Sequence, residues 1–347
     1  MGTMAQLGCN DDKPASGPSK GFNAMIRRTS SMCAKCFRII PAEVKGIYIT
    51  THCLDHGQHE DRVEEDAEFV KKIGYDRTPT RMRFLIVNIT DRCNDNCKLC
   101  YYPIKNSWDM PIEAVKRIAD ENKEHLMILS GGEPTCHSGL FDIVGGMRNL
   151  GAIVTNGNMF ADMRYLQEYI KASSTRISSR VLVSISIQKM TDKKIEALAN
   201  IRALGKTLVS ATFLINSKEE LQKAFNILKE YKDIILHARI RTPFNMWRQS
   251  AIKTLYNSTV SKWVKEIDSR YEVVETRGGN SIYSVTLSGG DVSITICCAP
   301  SIAAMDIKSL CAAPKMLAED QLIYPGPLGV AINEGISKGW YMGKRLC

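Results

Sequence analysis

The chain has 347 residues, 44% of them hydrophobic, which is enough for one large folded domain with an appendage. It shows no apolar run of about 18 residues and no continuous apolar segment near its N-terminus, so we expect no transmembrane helix, no signal peptide and no membrane partner. We therefore expect a cytoplasmic protein, in the host cell's cytoplasm if the gene is viral. The formal charge of +9 permits a polyanionic partner without requiring one. Twelve cysteines in a reducing compartment indicate metal ligation rather than a disulfide framework.

Four regions differ in composition along the chain. Residues 1–28 are rich in Gly, Pro, Ser, Asp and Lys, which is typical of a disordered tail. Residues 29–78 hold a cluster of Cys and His followed by a short acidic helix. Residues 79–270 alternate between strand and helix patterns, and residues 271–347 contain hairpin-like segments and an irregular, cysteine-containing end. We expect a tail, a zinc-ribbon-like module, a core barrel and a C-terminal extension.

The cysteines and histidine of the second region have the spacing of a metal site. Cys33 and Cys36 form one C-x2-C pair, and Cys53-x2-His56 follows after sixteen residues. This spacing matches paired zinc knuckles in which His replaces the fourth Cys. Zinc is the expected ion, mononuclear iron in a rubredoxin-like site is the competing one, and His52 and His59 are alternative ligands. Four ligands fill a tetrahedral shell, so we expect a structural role.

The third region reads as six strand–helix units. The helices between the strands begin near Pro111 and at residues 139, 161, 191 and 218, and each runs for about three turns. Strands separated by such helices predict an α/β fold with a parallel sheet and right-handed crossovers. Six units indicate a partial (β/α)6 barrel rather than a complete eight-fold one, with the chemistry in the loops after the strands. The predicted strands are residues 82–89, 125–132, 152–158, 181–187, 207–215 and 234–242.

A cysteine-rich loop directly follows the first of these strands. It carries Cys93, Cys97 and Cys100 in the spacing C-x3-C-x2-C. A tetrahedral zinc site takes four ligands, and a cubane iron–sulfur cluster has four irons to hold. Three cysteines therefore imply either a fourth ligand from elsewhere or a metal position that is left open.

This loop resembles that of the radical S-adenosylmethionine (SAM) superfamily, and the second predicted strand ends in Ser130-Gly131-Gly132-Glu133-Pro134-Thr135, which is similar to the family's G-G-E-P element. The resemblance covers about residues 80–245. It implies a [4Fe–4S] cluster held by the three thiolates, with the fourth iron open to the amino and carboxylate groups of SAM. It also implies a reductant such as flavodoxin or ferredoxin, cleavage of SAM to methionine and a 5′-deoxyadenosyl radical, and hydrogen abstraction from a substrate.

The resemblance also implies roles for residues at the ends of the strands. Gly131 and Gly132 would let the backbone approach the methionine amino group, and Glu133 would serve the same end of SAM. For the polar strand-end residues among the remaining positions, ordinary polarity at a strand end is the alternative interpretation, and for the two arginines it is a position at a surface edge. These positions are Tyr102 or its neighbour Tyr101 near adenine, Asn156 in a Thr-Asn-Gly turn, Ser186 and Asn216 near the ribose, and Arg241 with Arg239 on the SAM carboxylate or a substrate phosphate.

The last fifty-one residues carry four more cysteines. They are candidate ligands for an auxiliary iron–sulfur cluster, although none forms a C-x2-C pair; they are Cys297, Cys298, Cys311 and Cys347. Cys136 either faces the SAM cavity or packs, and we favour packing. The N-terminal Cys/His head resembles that of archaeal radical SAM enzymes that methylate pterins or join lipid chains. Those chains are longer and have further cysteine motifs, so their substrates are not transferred to this chain.

Three functions remain open from the sequence. The first is isomerisation of an N-linked to a C-linked glycyl group on amino-acid-modified thymidine in phage DNA, as in the compact phage radical SAM isomerases that this layout resembles. Its DNA or modified-nucleotide substrate would suit the basic residues of the chain. The second is methyl transfer or carbon–carbon bond formation on a pterin, lipid or peptide. The third is a non-catalytic iron–sulfur scaffold, which would not need an open iron.

Overall fold

The computed structural model describes residues 26–33, 35–36, 38–73, 84–98, 100, 108–173, 181–205, 207–243, 255–277, 284–298, 316–318 and 321–323. Its N-terminal part is a four-stranded antiparallel sheet in the order β1-β2-β3-β4, followed by one short helix. The turn between β2 and β3 contains Gly46 at a φ of 58°, a conformation that glycine adopts without strain. The elements are β1 Arg27–Met32, β2 Ile39–Lys45, β3 Tyr48–Cys53, β4 Gly57–Arg62 and α1 Ala67–Ile73.

The centre of the molecule is a nine-stranded sheet that contains six parallel strands in chain order. The prediction of an α/β fold with six strand–helix units is confirmed by this sheet and its helices. Helix α3 is shorter than predicted and ends at Gly146, because two successive glycines disfavour further helix. The strands are β5 Phe84–Thr90, β6 Leu126–Gly131, β7 Leu150–Thr155, β8 Val181–Ile187, β9 Thr207–Leu214 and β10 Ile235–Arg241. The helices are α2 Ile112–Glu121, α3 Leu140–Gly146, α4 Met163–Ser173, α5 Asp192–Leu204, α6 Lys218–Glu230 and α7 Asn257–Ile267.

The two faces of this sheet differ in chemistry. Strands β5 to β10 are added in one direction, so right-handed crossovers place every connecting helix on the same face. In β8, Val183 and Ile185 are buried in the hydrophobic core, whereas Ser184 and Ser186 point to the opposite face and are partly exposed. The sheet therefore has an apolar face beneath the helices and a polar face, which we call the open face.

The hairpin-like segments after residue 270 extend the same sheet. Strand β13 (Ser293–Cys297) pairs in parallel with β10, and β12 (Ser284–Ser288) and β11 (Glu272–Arg277) continue antiparallel to the edge. Ile294 and Ile296 of β13 are fully buried, which explains why these strands join the core rather than stand apart. A short hairpin of β14 (Met316–Ala318) and β15 (Gln321–Ile323) follows.

The N-terminal sheet is attached to the core through two acidic residues that precede α1. Glu64 is buried and accepts hydrogen bonds from the backbone N–H and the hydroxyl of Ser258 at the start of α7. Thr259 donates to Glu65 beside it. Burial raises the pKa of Glu64, and the hydrogen bonds from Ser258 oppose that rise. Within the described part of the chain, no helix combines the length and apolar character needed to cross a membrane.

Candidate functional site

The three-cysteine loop lies at the carboxyl end of β5, and its base is closed by hydrogen bonds. The backbone N–H of Asp91 donates to the carbonyl of Trp108 at 3.0 Å, and the N–H of Trp108 donates to the Asp91 carboxylate at 2.7 Å. Thr90 donates from its hydroxyl to the carboxylate of Asp109 at 2.5 Å. The start and the end of the loop are thereby held together over 18 residues of chain. Neither acidic residue was selected from the sequence, although each stands next to a predicted strand or helix.

The three thiols of this loop are partly exposed, and burial disfavours the thiolate form of Cys93 and Cys97. Burial raises the pKa of Cys93 to about 11, against a hydrogen bond from the backbone N–H of Asp95. Burial, with the charge of Asp95, raises the pKa of Cys97 to about 12. The charge of Cys100 adds to both shifts, so the three thiols interact electrostatically. Metal binding must displace their protons, as is general for thiolate ligands.

The two glycines after β6 pack against the start of the cysteine loop. A Cβ atom on Gly131, whose φ is +137°, would lie 2.3 Å from the carbonyl oxygen of Thr90. A Cβ atom on Gly132 would lie 2.3 Å from the carbonyl oxygen of Arg92. The N–H groups of Gly132 and Glu133 donate to these same carbonyls at 2.8 and 2.7 Å. The glycines therefore allow close contact between two backbones, a reason that is independent of the approach to methionine expected from the resemblance.

Glu133 is fully buried, and both of its carboxylate oxygens accept hydrogen bonds from other residues of the protein. Its Oε1 accepts hydrogen bonds from the Thr135 N–H at 3.0 Å, the Thr135 hydroxyl at 2.6 Å and the Thr155 hydroxyl at 2.7 Å. Its Oε2 accepts from the N–H of Asn156 at 2.6 Å. Burial raises the pKa of this carboxyl, and the four donors oppose the rise. Glu133 thus fixes the end of β7 relative to the turn after β6, whereas the resemblance implied a contact with SAM.

Asn156 carries this connection to the cysteine loop. Its side-chain amide nitrogen donates to the side-chain oxygen (Oδ1) of Asn94 at 2.7 Å and lies 4.0 Å from the sulfur of Cys93. The N–H of Asn94 in turn donates to the thiol of Cys136, a hydrogen bond that opposes the rise in the pKa of that thiol caused by burial. A continuous set of contacts therefore leads from Glu133 through Asn156 to the first cysteine.

A buried lysine, which the sequence did not single out, lies on the other side of the loop. The Lys194 side chain on α5 is only 4% exposed, and its ammonium lies 3.9 Å from the carboxylate of Asp95. The ammonium also donates to the carbonyl of Lys189 at 3.4 Å and lowers the pKa of Cys97. Because α5 follows β8, the cysteine loop extends across the sheet as far as the β8–α5 connection. In the sequence, Lys194 looks like an ordinary residue of a predicted helix, so nothing there indicated its burial beside the cysteine loop.

Three other predicted SAM ligands fall within the described residues, and they lie along the same edge of the sheet. Ser186 is near the end of β8 and is partly exposed, Asn216 follows β9 and is exposed, and Arg241 ends β10 and is partly exposed. Parallel strands end at one edge, so these side chains share the edge with the cysteine loop. Tyr102, with its neighbour Tyr101, lies outside the described residues.

The second metal-binding group is formed by Cys33, Cys36, Cys53 and His56, whose ligand atoms all lie within 4.8 Å of one another. The sulfurs of Cys36 and Cys53 are 3.8 Å apart. Nδ1 of His56 lies 3.6 Å from the sulfur of Cys33 and 3.4 Å from the sulfur of Cys53. Around a tetrahedral zinc ion, two sulfurs are about 3.8 Å apart and a sulfur and a nitrogen about 3.5 Å apart. The site therefore fits a tetrahedral ion, and His56 rather than His52 or His59 completes it.

Charge around this group favours bound thiolates. Against the effect of burial, hydrogen bonds from His56 lower the pKa of Cys53 to about 7. Arg38 donates from Nε to the sulfur of Cys36 at 3.4 Å and forms an ion pair with Asp55. Such contacts to a ligand atom orient the ligand and offset its charge.

The C-terminal cysteines do not form a comparable group in the described part of the chain. Cys297 and Cys298 are both buried at the end of β13, and burial raises the pKa of Cys298 well above its ordinary value. The backbone N–H of Cys298 donates to Asn257 at 3.1 Å. Cys311 and Cys347 lie outside the described residues, so the auxiliary cluster stays a prediction.

Comparison with known proteins agrees with this arrangement. Residues 87–235 match the family model of the radical SAM superfamily. A 7,8-dihydro-6-hydroxymethylpterin dimethyltransferase of Methanocaldococcus jannaschii is 26% identical over 194 residues, which cover 44% of this chain and 38% of that protein. A probable GTP 3′,8-cyclase of Saccharolobus islandicus is 25% identical over 164 residues, which cover 43% of this chain and 53% of that protein. The chain thus spans between a third and about half of the length of these relatives.

Among solved structures, Streptococcus suis SuiB bound to the precursor peptide SuiA is similar at 16% identity and a TM-score of 0.44, over 54% of this chain and 45% of that one. The match of residues 87–235 contains the three-cysteine loop after β5 and the Gly-Gly-Glu-Pro turn after β6. This segment is therefore similar in sequence to the radical SAM domain.

Proposed function

We propose that the chain is an enzyme that binds a [4Fe–4S] cluster through Cys93, Cys97 and Cys100 and uses it to cleave SAM. The observation that carries the proposal is the partly exposed three-cysteine loop at the carboxyl edge of the sheet that matches the radical SAM family model. When bound, the cluster supplies the electron that divides SAM into methionine and the 5′-deoxyadenosyl radical, and flavodoxin or ferredoxin is the expected reductant.

The protein's own residues hold and surround this centre. The three thiolates would each hold one iron of the cluster, and the lack of a fourth cysteine in the loop would leave one iron for the amino and carboxylate groups of SAM. The contacts from Glu133 through Asn156 to Asn94 keep the first cysteine in place. The buried ammonium of Lys194 offsets negative charge beside Cys97.

SAM itself would lie along the carboxyl edge. Gly131 and Gly132 present backbone groups there, and Asn156, Ser186 and Asn216 offer polar side chains at the ends of three successive strands. Tyr102 is retained as a candidate for the adenine side. These assignments follow from strand position and from the family resemblance.

For the Cys33, Cys36, Cys53 and His56 group we propose a structural zinc ion. The near-tetrahedral spacing of the four ligand atoms supports it, and a complete shell leaves no position for a substrate. Mononuclear iron is the competing occupant, and the metal content of the purified protein distinguishes the two.

The proposed reaction is isomerisation of a glycyl group on modified thymidine in phage DNA, from nitrogen to carbon linkage. The positive net charge supports it. Hydrogen abstraction from the glycyl α-carbon would be followed by migration and return of hydrogen. The relative named as a pterin dimethyltransferase favours a second candidate, methyl transfer or carbon–carbon bond formation on a pterin, lipid or peptide. An auxiliary cluster would also favour that second reading.

Isotope transfer tests the proposed reaction. The anaerobically reconstituted protein is given SAM, dithionite and duplex DNA that carries thymidine with an α-deuterated glycyl group. We expect the DNA to stimulate 5′-deoxyadenosine formation and deuterium to enter that product. Formation of 5′-deoxyadenosine that DNA leaves unchanged would reject the DNA substrate and retain the radical SAM reaction. Unmodified DNA of the same sequence is the control.

A further inference from the structure

A histidine on the open face of the sheet lies between two hydroxyl groups. His237 of β10 points to this face because the next residue, Ala238, is buried beneath the helices. Its Nδ1 lies 3.1 Å from the hydroxyl oxygen of Ser210 on β9, and its Nε2 lies 2.8 Å from that of Thr295 on β13. All three residues are partly exposed, so a ligand on the open face can reach them.

A row of partly exposed residues leads across the sheet from the cysteine loop to this histidine. Strand register places in this row, from β5 to β10, Asn88, Ser130, Val154, Ser184, Ser210 and His237. All of them except Val154 have hydrogen-bonding side chains. Asn88 and Ser130 pair with each other just before Thr90 pairs with Gly131 at the base of the cysteine loop. A substrate bound at His237 would therefore share one face of the sheet with the proposed cluster.

A neutral imidazole gives the two hydroxyls opposite roles toward a ligand. One of its ring nitrogens carries a proton and donates, whereas the other accepts. The hydroxyl that donates to the ring has only lone pairs left to offer, and the hydroxyl that accepts from the ring still has its own proton to give. Either tautomer of His237 therefore presents one hydrogen-bond acceptor and one donor, on the two sides of the imidazole.

Charged residues of both signs lie in the adjacent row, nearer the carboxyl edge. Arg239 pairs in register with Thr295, and Glu275 takes the corresponding place on β11, two strands farther on. Arg239 interacts with other residues of the protein. The residues that neighbour the imidazole on the two flanking strands are uncharged, and they are Ser210, Ser293 and Thr295. The groups that a ligand would meet at the imidazole are therefore neutral donors and acceptors.

We propose that Ser210, His237 and Thr295 bind the lactam edge of a nitrogen heterocycle in the substrate. A ring amide carries its N–H and its C=O side by side, so it offers one donor and one acceptor to the two hydroxyls at once. A trans peptide bond points these two groups in opposite directions, and an acyl chain has neither. The inference rests on the proposed function, because it assumes that the open face receives the substrate. It restricts the substrate to compounds such as nucleobases and pterins, both of which contain a lactam.

Binding of two lactam rings to the reconstituted full-length protein tests this site. Thymidine and 6-hydroxymethylpterin are titrated by calorimetry, each beside its N3-methyl analogue, which lacks the lactam N–H. We expect the wild type to bind at least one ring about tenfold more tightly than the methylated analogue, which is the effect of one hydrogen bond. The ring that binds more tightly identifies the source of the lactam as a nucleobase or a pterin. Equal binding of ring and analogue, or no binding of either ring, would overturn the inference.

Variants that lack one hydroxyl separate this site from a steric effect of the methyl group. In Ser210→Ala and Thr295→Val, we expect loss of the hydroxyl that accepts the lactam N–H to abolish the preference for the unmethylated ring. Loss of the other hydroxyl should weaken ring and analogue equally, by about tenfold. The control Thr207→Val removes a hydroxyl from the helix-covered face of β9 and should keep the wild-type affinities. Wild-type affinities in both test variants would also overturn the inference. Failure of the proposed function is a separate result, because it appears as a lack of 5′-deoxyadenosine whatever these titrations show.

Discussion

Replacement of Gly132 by alanine tests how the turn after β6 supports the cysteine loop. The added Cβ would lie 2.3 Å from the carbonyl oxygen of Arg92 and 2.9 Å from that of Asp91, both backbone atoms. The φ of Gly132 is not among the positive values, so the substitution changes occupied space and not backbone preference. Arg92 directly precedes Cys93, and a shift there moves the first ligand of the cluster.

The size of the effect follows from the two hydrogen bonds at this contact. An ordinary contact begins at 3.4 Å, so the two backbones must separate by about 1 Å. The hydrogen bonds from Gly132 to Thr90 at 2.8 Å and from Glu133 to Arg92 at 2.7 Å would then exceed hydrogen-bonding distance. Loss of two such bonds at a closed contact costs about 2–4 kcal/mol.

Urea unfolding and iron content measure the two consequences. We expect the free energy of unfolding of Gly132→Ala to fall by about 2–4 kcal/mol and the iron retained after anaerobic reconstitution to fall with it. The matched control is Gly145→Ala on α3, where the nearest atom would be 3.9 Å from the new Cβ. A Gly132→Ala protein with the stability and iron content of this control would refute the proposed role of the close contact.

Four further substitutions test separate parts of the site. Cys97→Ala should abolish cluster retention and SAM cleavage, and retained cleavage would contradict the cluster assignment. Cys53→Ala should lose the N-terminal metal and destabilise that module while the core keeps its iron; loss of the core iron would contradict this separation. Glu133→Ala leaves two backbone N–H donors without their acceptor and should lower the free energy of unfolding by about 3–5 kcal/mol, with a loss below 1 kcal/mol as the contrary result. Lys194→Met should lower the reduction potential of the cluster by tens of millivolts, because the buried ammonium stabilises the added electron. An EPR-monitored redox titration measures the potential. The exposed Lys193→Met is the control and should leave it unchanged.

The arrangement of the core could be read from the sequence because its signals are local. Most of the six parallel strands are apolar runs followed by a helical pattern, and Ser217, which begins a Ser-x-x-Glu pattern, caps α6 by accepting from the N–H of Glu220. The position of β13 beside β10 could not be read, because strand pairing over more than fifty residues depends on side chains that only meet in the folded sheet.

The ligands of the N-terminal metal group could be predicted from the sequence, but the contacts that surround the cysteine loop could not. Spacing alone singled out Cys33, Cys36, Cys53 and His56, whose ligand atoms the fold brings within 4.8 Å of one another, because the ligands of a structural zinc ion are commonly supplied as short-spaced pairs. It did not reveal that Glu133 directs both oxygens into the protein, because a carboxylate after a strand end reads the same whether it faces a ligand or a neighbouring turn. Lys194 was missed because its burial results from the course of the cysteine loop, which carries no helix or strand pattern.

The most direct test of the central proposal is the amount of 5′-deoxyadenosine formed by the anaerobically reconstituted chain with SAM and dithionite, beside Cys97→Ala treated in the same way. We expect the wild type to form 5′-deoxyadenosine and methionine in equal amounts and the variant to form neither. A wild-type protein that binds four irons but forms no more 5′-deoxyadenosine than the variant would contradict the proposal and leave an iron–sulfur scaffold as its function.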